Sequence, residues 1–282
     1  MSSTESAAAV ASDGDDRRRE LLQVFAKASV KSLLDAGVTA IPSIFQHPPD
    51  SLADIAPPAS STDAAAATAS VIPVVDLSCA RREDVVAQVR HAAGTVGFFQ
   101  VVNHGVPAEL MAGVLAGVRR FNEGPAEAKR ALYTRDARCK VRFNSHFDLF
   151  QSTAANWRDT LSCDMAPDSP PPEELPEAVR TVMMEYCNAV TKLALWVFEL
   201  LSESLGLASG HLRDMGCAES LTVLSHYYPP CPEPHLTLGT STTPTPPSSP
   251  SPCRTAWAAC RCSSIAATVA GDGWTSLPCQ AL

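Results

Sequence analysis

The sequence predicts a mixed α/β protein that is helical in its N-terminal part and turns to β-strands in its second half. Apolar residues recur at helical spacing over several segments, of which 177–207 is the longest. Short runs rich in β-branched and aromatic residues, at 71–78, 97–105 and 220–228, are typical of strands. Residues 240–282 show neither pattern. The predicted sheet therefore begins without being completed, and a disordered C-terminal tail is expected after it.

Composition excludes several classes of protein. The chain has 282 residues, of which 45% are hydrophobic, so it has enough apolar residues for a substantial core and too many for a disordered protein. Its net charge of −8 argues against nucleic acid as the main partner. There is no apolar run of about 18 residues, so we expect no membrane span. The N-terminus lacks the apolar segment of a secretory signal, and we expect a cytoplasmic protein with reduced thiols.

The N-terminal elements follow from local composition. Residues 1–16 are rich in Ser, Ala and Asp and are predicted to be disordered. Residues 17–36 carry apolar side chains at helical spacing, and Gly37 is a helix stop. A linker rich in Pro, Ser and Ala covers 47–70, and the first strand, 71–78, comes after it.

The middle of the chain alternates helices and strands. A helix at 81–95 precedes the strand 97–105, which an Asn-His-Gly turn closes. Two further helices are predicted at 107–120 and 125–132, and each has a proline near its first turn. Proline is tolerated there because the backbone N–H groups of the first turn make no hydrogen bond within the helix. The remaining elements are strand-like stretches within 137–165, a proline-rich loop at 166–176, the helix 177–207 and the strand 220–228, which the prolines of 229–234 end.

Five motifs occur in an informative order. They are IPVVDLS (72–78), VGFFQVVNHGVP (96–107), FNEGPAEAK (121–129), FNSHFDLFQSTAANWRDTL (143–161) and HYYPPCPEPHLTLG (226–239). Together they resemble the plant 2-oxoglutarate- and Fe(II)-dependent dioxygenases. The fourth motif is most similar to the subset of 1-aminocyclopropane-1-carboxylate oxidase homologues. The resemblance covers about residues 20–239.

The resemblance implies a two-part architecture and a set of cofactors. Residues 17–210 are similar to the family's N-terminal non-haem dioxygenase domain with its connecting helices. Residues 211–239 are similar to the opening of its double-stranded β-helix, or jelly roll. Such enzymes hydroxylate small specialised metabolites and use Fe(II), O2, 2-oxoglutarate and ascorbate. The resemblance therefore implies these cofactors, a small-molecule substrate and a monomeric protein.

The iron site of the family is only partly matched. Family members hold Fe(II) with two His and one carboxylate, and the first His and the Asp form a His-x-Asp motif soon after YYPPCP. This chain has no histidine after His235, and Asp272 is its one acidic residue after Glu233. We therefore expect no intact metal or catalytic triad and no activity. Tyr228 matches the family tyrosine that binds the 2-oxoglutarate carboxylate, and His226 is a weaker candidate for the same site.

Other residues match fragments of a metal or cofactor site without its context. His146 and Asp148 spell His-x-Asp but lie far upstream of the expected position, so a surface or substrate-cleft role is favoured over metal binding. His104 follows a strand in a turn, and a structural role is expected. The tail holds an isolated Arg-x-Ser at 261–263 and four cysteines whose spacing fits no structural zinc site, Cys253, Cys260, Cys262 and Cys279.

The tail has an explanation at the level of the coding sequence. A shifted reading frame from about Thr240 onward allows codons for His-Ser-Asp-Pro-Ser-Phe-Leu-Thr-Val, which is similar to the family's next segment and contains its His-x-Asp. A jelly roll that stopped after one or two strands would leave open sheet edges and an uncovered apolar face. We therefore expect residues 240–282 to be frame-shifted, and a genuinely divergent tail is the alternative.

Three functions remain open at this point. The first is an Fe(II)- and 2-oxoglutarate-dependent oxidoreductase whose chain is inactive as written. The second is a non-catalytic remnant, in which the helical domain at about 17–210 persists as an interaction module. The third is an active enzyme with unusual ligands, which would need His146 and Asp148. Metal titration separates the two enzyme interpretations, and limited proteolysis separates a folded module from an unfolded remnant.

Overall fold

The computed structural model describes most of the chain between Ser29 and Thr240. The described residues are 29–49, 52, 72–95, 97, 99–145 and 154–240, with the backbone of 266–270. The predicted disordered stretch 1–16, most of the predicted helix 17–36 and most of the linker 47–70 lie outside these ranges.

The first helix, α1, is short and has a defined cap at each end. It spans Val30–Asp35, and the backbone N–H of Ser32 donates to Oγ of Ser29 at 3.0 Å. Gly37 follows with a φ of +80°, a left-handed conformation that glycine adopts without strain. The sequence predicts this stop correctly. The apolar side of α1 packs with the 3₁₀ turn Ser43–Phe45 in a small core.

A parallel pair of strands and two helices form the next unit. β1 spans Val74–Asp76 and pairs in parallel with β2, Gln100–Val102. The connection between them is α2, Arg82–Thr95, because parallel strands must start at the same edge and so need a crossover. α2 packs against the long helix α5, Arg180–Ser204.

Two more helices lie beside α5. α3 spans Ala108–Glu123 and α4 spans Ala126–Leu132, and a proline precedes each of them as predicted. α3 comes very close to the chain just before α5. A Cβ added at Gly117 would lie 2.7 Å from the carbonyl oxygen of Ala178, so only glycine permits this approach.

The long helix α5 ends where the sequence predicts, at a glycine. Gly206 has a φ of +77°, and its N–H donates to the carbonyl of Glu203 at 2.9 Å. The N–H of Leu207 donates to the carbonyl of Ser202 at 3.0 Å, which completes the cap. The short helix α6, His211–Asp214, follows. Among the described residues, no helix is both long enough and apolar enough to cross a membrane, and this includes α5.

A four-stranded sheet with the order β3-β4-β5-β6 completes the described fold. β3 (Val141–Asn144), β4 (Asp159–Ala166) and β5 (Leu221–Tyr228) are antiparallel neighbours. β6 (Ala266–Ala270) pairs in parallel with the far edge of β5.

The strand β6 differs from the coil that the sequence predicts for the whole C-terminal tail. Residues 266–270 include Thr and Val and contain no proline or glycine, so their backbone can take the ladder hydrogen bonds that the edge of β5 offers. The other residues after Thr240 lie outside the described ranges.

One apolar core joins the helices to the sheet. The rings of Phe121 and Phe143 meet edge to face with their centroids 5.3 Å apart, and Val223 of β5 is buried in the same cluster. The predicted domains 17–210 and 211–239 therefore both contribute to it, and the boundary between them stays a prediction. The completely buried members of this core are Val118, Phe143, Leu161, Cys163, Val179 and Met183.

Candidate functional site

The two faces of the sheet β3-β4-β5 differ in character. Leu161 of β4 and Val223 of β5 are buried against the helices. Because side chains alternate along a strand, the residues on either side of Leu161 in β4 and of Val223 in β5 belong to the opposite face of the sheet. That second face is mostly half-buried, and we call it the polar face. It carries the polar residues Arg142, Asn144, Thr160, Ser162, Asp164, Thr222, His226 and Tyr228, together with the apolar Leu224.

An ion pair with its hydrogen bonds occupies one end of the polar face. Nη1 of Arg142 lies 2.7 Å from Oδ2 of Asp164, and Nη2 donates to Oγ of Ser162 at 3.1 Å. The hydroxyl of Thr222 donates to Oδ1 of Asp164 at 2.9 Å. These groups satisfy one another, so this end of the face has little capacity left for a charged ligand.

His226 lies toward the other end of the polar face. The strand register places it opposite Thr160, and a hydrogen bond of 3.0 Å joins His226 Nδ1 to the Thr160 hydroxyl. Burial, and to a smaller extent the positive charge of Arg158, lower the pKa of His226 to about 4. His226 is therefore neutral at pH 7 and adds polarity to the face without adding charge.

Tyr228 marks the end of β5 on the same face. Its hydroxyl lies 2.8 Å from Oγ1 of Thr240. Its ring packs so closely on the chain at Gly239 that a Cβ added there would lie 2.9 Å from two ring carbons. The ring is thereby held in one position, with the hydroxyl at the rim of the sheet. His226 stands edge-on to this ring, with the centroids 6.3 Å apart.

Arg158 brings a positive charge close to Tyr228 and Thr240. It directly precedes β4, and its Nη1 donates to Oγ1 of Thr240 at 3.2 Å. The hydroxyl of Thr240 is therefore shared by Arg158 and Tyr228. Sequence reasoning missed Arg158, although a charged residue directly before a strand of the sheet was visible in the fourth motif.

Trp157 fixes the proline-rich segment that follows β5. Its indole N–H is shared between the carbonyls of Pro229 and Pro230, at 3.2 and 3.3 Å, and its backbone N–H donates to Leu238 at 2.8 Å. The prolines end the strand and leave their carbonyls free to accept, which explains why the YYPPCPEP segment and Trp157 belong together. This contact holds Gly239 and its neighbours against the polar face.

Asp159 is a second residue that sequence reasoning missed. It faces the core side of β4, is completely buried, and accepts hydrogen bonds from the backbone N–H groups of Val30 and Lys31 at 2.7 and 3.0 Å. The hydroxyl of Ser145 donates to it at 2.8 Å. Burial raises its pKa to about 6, against the opposing effects of these hydrogen bonds and of the charge of Lys129. Asp159 therefore fastens the start of α1 to the sheet.

The residues in the described ranges do not fit an iron site. They contain no group of three or more His, Cys, Asp or Glu side chains arranged to hold a metal ion. The His-x-Asp match at His146 and Asp148 lies outside the described residues, as do the tail cysteines and the Arg-x-Ser at 261–263. His104 has a structural role, because its Nδ1 accepts the backbone N–H of Val106 at 3.1 Å.

Comparisons with known proteins agree on one family. The model of the family described as non-haem dioxygenase in morphine synthesis N-terminal matches residues 72–182. Among curated proteins, the chain is 48% identical over 229 residues to 1-aminocyclopropane-1-carboxylate oxidase homolog 1 of Arabidopsis thaliana, which is 79% of this chain and 61% of that protein. It is 46% identical over 218 residues to a probable 2-oxoacid dependent dioxygenase of the same plant, covering 76% of this chain and 58% of that protein.

A solved structure supports the same assignment. The fold is similar to that of JOX2, crystallised in complex with 2OG, Fe and JA, with a TM-score of 0.60 and 27% sequence identity. The match covers 76% of this chain and 60% of JOX2. The chain thus spans about three fifths of the length of the relatives that it matches. Within that span, the order of motifs, the family model and the fold agree, and the chain belongs to the 2-oxoglutarate- and Fe(II)-dependent oxygenase family, in the group of the 1-aminocyclopropane-1-carboxylate oxidase homologues.

Proposed function

We propose that this chain derives from an enzyme that hydroxylates a small specialised metabolite with Fe(II), O2 and 2-oxoglutarate, and that the chain as written does not assemble the iron site. The observation that carries the proposal is the polar face. Tyr228 and His226 lie next to each other on it, and the chain segment from Pro229 to Thr240 folds back over its end. A polar, half-buried sheet face opposite an apolar core is a suitable floor for a small-molecule site.

Tyr228 is the residue that we propose for binding 2-oxoglutarate. A tyrosine hydroxyl at the rim of the sheet donates a hydrogen bond to a carboxylate at little entropic cost, since the ring is already held against Gly239. His226 is neutral and supports the position of Tyr228 through its edge contact. JOX2, which was crystallised with 2OG and Fe, is the structural relative that supports these two cofactors for the family.

The iron ligands are the part of the site that this chain lacks. The family needs two histidines and a carboxylate after the YYPPCP segment, and the sequence after His235 contains no histidine. We propose a shifted reading frame as the cause. The segment before Thr240 makes specific contacts with Trp157, through the carbonyls of Pro229, Pro230 and Leu238, and these contacts support the original frame up to about residue 238.

The test compares two proteins. Transcripts are sequenced across codons 235–245, and the chain as written is expressed beside a version whose frame is restored from Thr240. We expect 2-oxoglutarate-dependent succinate release from the restored version only. Succinate release by the chain as written would contradict the proposal, and so would a transcript whose alternative frame lacks His-x-Asp.

An interaction module is the second candidate, and one observation favours it. β1, β2, α2, α5 and α6 enclose an apolar core of their own, whose completely buried residues are Val89, Leu200 and Leu212. The described residues of this core include none from β3, β4 or β5. Limited proteolysis tests this function, because a stable module would resist cleavage before about residue 210, whereas an unfolded remnant would be degraded throughout.

A further inference from the structure

We propose that Arg158, together with Tyr228 and Thr240, binds the carboxylate group of a small molecule without any need for a metal ion. The inference deepens the proposed function and rests on it in one respect, because it places the ligand on the polar face. The residue that it adds is Arg158, which would anchor the negative charge.

Three hydrogen-bonding groups converge at this point. Nη1 of Arg158 donates to Oγ1 of Thr240 at 3.2 Å, and the hydroxyl of Tyr228 lies 2.8 Å from the same oxygen. Thr240 is exposed, whereas Arg158 and Tyr228 are half-buried. A ligand that approaches from the solvent therefore meets the threonine hydroxyl first, with the guanidinium and the phenol beside it.

The hydrogen-bonding capacity of Arg158 is only partly used. Its Nε is buried and makes no hydrogen bond to any described residue. A buried N–H without an acceptor is costly, so an arginine is expected to find an anionic partner in such a place. Nε and one terminal nitrogen of a guanidinium form the fork that a planar carboxylate matches with two parallel hydrogen bonds.

The charge of Arg158 is also without a counter-charge. Within the described ranges it forms no ion pair, whereas Arg142, on the same sheet, is paired with Asp164. His226 is neutral, so it neither repels nor balances the guanidinium at pH 7. Among the described residues, the positive charge of Arg158 therefore has no counter-charge at the end of the polar face where Tyr228 lies.

These features select a carboxylate over other ligands. The site offers one cation and two hydroxyls, which suits a singly charged planar anion and not a metal ion or a neutral sugar. The carboxylate could belong to a dicarboxylate such as 2-oxoglutarate or to an organic acid that serves as the substrate. Both have the same chemistry at Arg158, and binding measurements with one probe of each kind distinguish them.

The experiment is a calorimetric titration of the full chain in metal-free buffer with 2-oxoglutarate and, separately, with benzoate. Three variants accompany the wild type. R158M removes the charge, R158K keeps the charge without the fork, and R138M removes an exposed arginine that pairs with Asp136. Far-UV circular dichroism checks that each variant is folded.

We expect R158M to weaken the binding of at least one probe by about tenfold or more, the loss expected for a charged hydrogen bond. R158K should lose less than R158M, and R138M should bind within about twofold of the wild type. If R158M is unfolded, the affinity of R158K relative to that of the wild type tests the proposal instead, and equal affinities would contradict it. Binding of 2-oxoglutarate alone assigns the site to a dicarboxylate, and binding of benzoate assigns it to a substrate acid.

Three results would overturn the proposal. They are no binding of either probe to the folded wild type, equal affinity of R158M and the wild type, and an equal loss in R138M. Because the titration contains no metal, its outcome is independent of the iron site. Succinate release by the chain as written would contradict the proposed function but would not contradict the carboxylate site.

Discussion

Asp159 should make the stability of the protein depend on pH in an unusual direction. Its carboxyl is completely buried, and its pKa rises from 3.8 to about 6 because burial outweighs three hydrogen bonds and the charge of Lys129. A carboxyl whose pKa is higher in the folded state stabilises the fold fully below its unfolded pKa of 3.8. That contribution is lost as the pH rises through about 6.

The magnitude follows from the two pKa values. One pKa unit corresponds to about 1.36 kcal/mol, so the complete change is roughly 3 kcal/mol, most of which falls between about pH 4 and pH 7.5. The perturbation is Asp159→Asn, which keeps the size of the side chain and removes its titration. The free energy of unfolding of the wild type minus that of the variant should therefore decrease by roughly 2–3 kcal/mol over this pH range.

The assay is urea denaturation of both proteins at several pH values, followed by far-UV circular dichroism. Taking the difference in the free energy of unfolding between the two proteins cancels the contributions of the other titrating groups. Asp136→Asn is the control, because Asp136 is at the surface and hydrogen bonds from Arg138 lower its pKa below the ordinary value of 3.8. Its contribution is lost only at lower pH, so the difference between the wild type and this variant should not decrease between about pH 4 and pH 7.5. A wild-type advantage over Asp159→Asn that stays constant or grows with pH would refute the reasoning.

Three further predictions concern the sheet and the helix contact. The imidazole of His226 should titrate near pH 4 by NMR, and its contribution to stability should be lost as the pH falls from 6.5 toward 4; a midpoint above 6 would contradict its burial. Gly117→Ala should destabilise the fold by about 1–3 kcal/mol in urea, since the new Cβ meets a carbonyl oxygen, whereas Gly94→Ala, with open space around it, should be neutral or slightly stabilising. Tyr227→Phe should cost about 0.5–1.5 kcal/mol through the lost hydrogen bond to Glu123, and no change in the urea midpoint would show that this bond contributes nothing.

Elements whose signal is local could be predicted from the sequence. The helix α5 was predictable because its apolar residues recur at helical spacing over seven turns and Gly206 supplies the stop. The prolines before α3 and α4 predicted the starts of those helices. The strand β5 was predictable because β-branched and aromatic residues run up to the prolines that end it.

Features that depend on distant partners could not be predicted in this way. Asp159 and the backbone of Val30 are 129 residues apart, and no local pattern reports that the aspartate caps a helix. The cluster of Arg158 and Thr240 likewise depends on a loop that returns 82 residues later. β6 forms because the edge of β5 is available to pair with it, and a segment without hydrophobic alternation gives no hint of that edge. The structure gives the contacts of Tyr228 and His226, and their roles in binding 2-oxoglutarate stay predictions.

The most direct test of the central claim is an anaerobic titration of the chain as written with Fe(II) in the presence of 2-oxoglutarate. Binding is followed by the absorbance of the iron complex and by the iron retained after gel filtration. Because the sequence after His235 supplies no histidine, we predict no saturable binding and no retained iron. Retention of one equivalent of iron per folded chain would contradict the claim and would direct attention to His146 and Asp148.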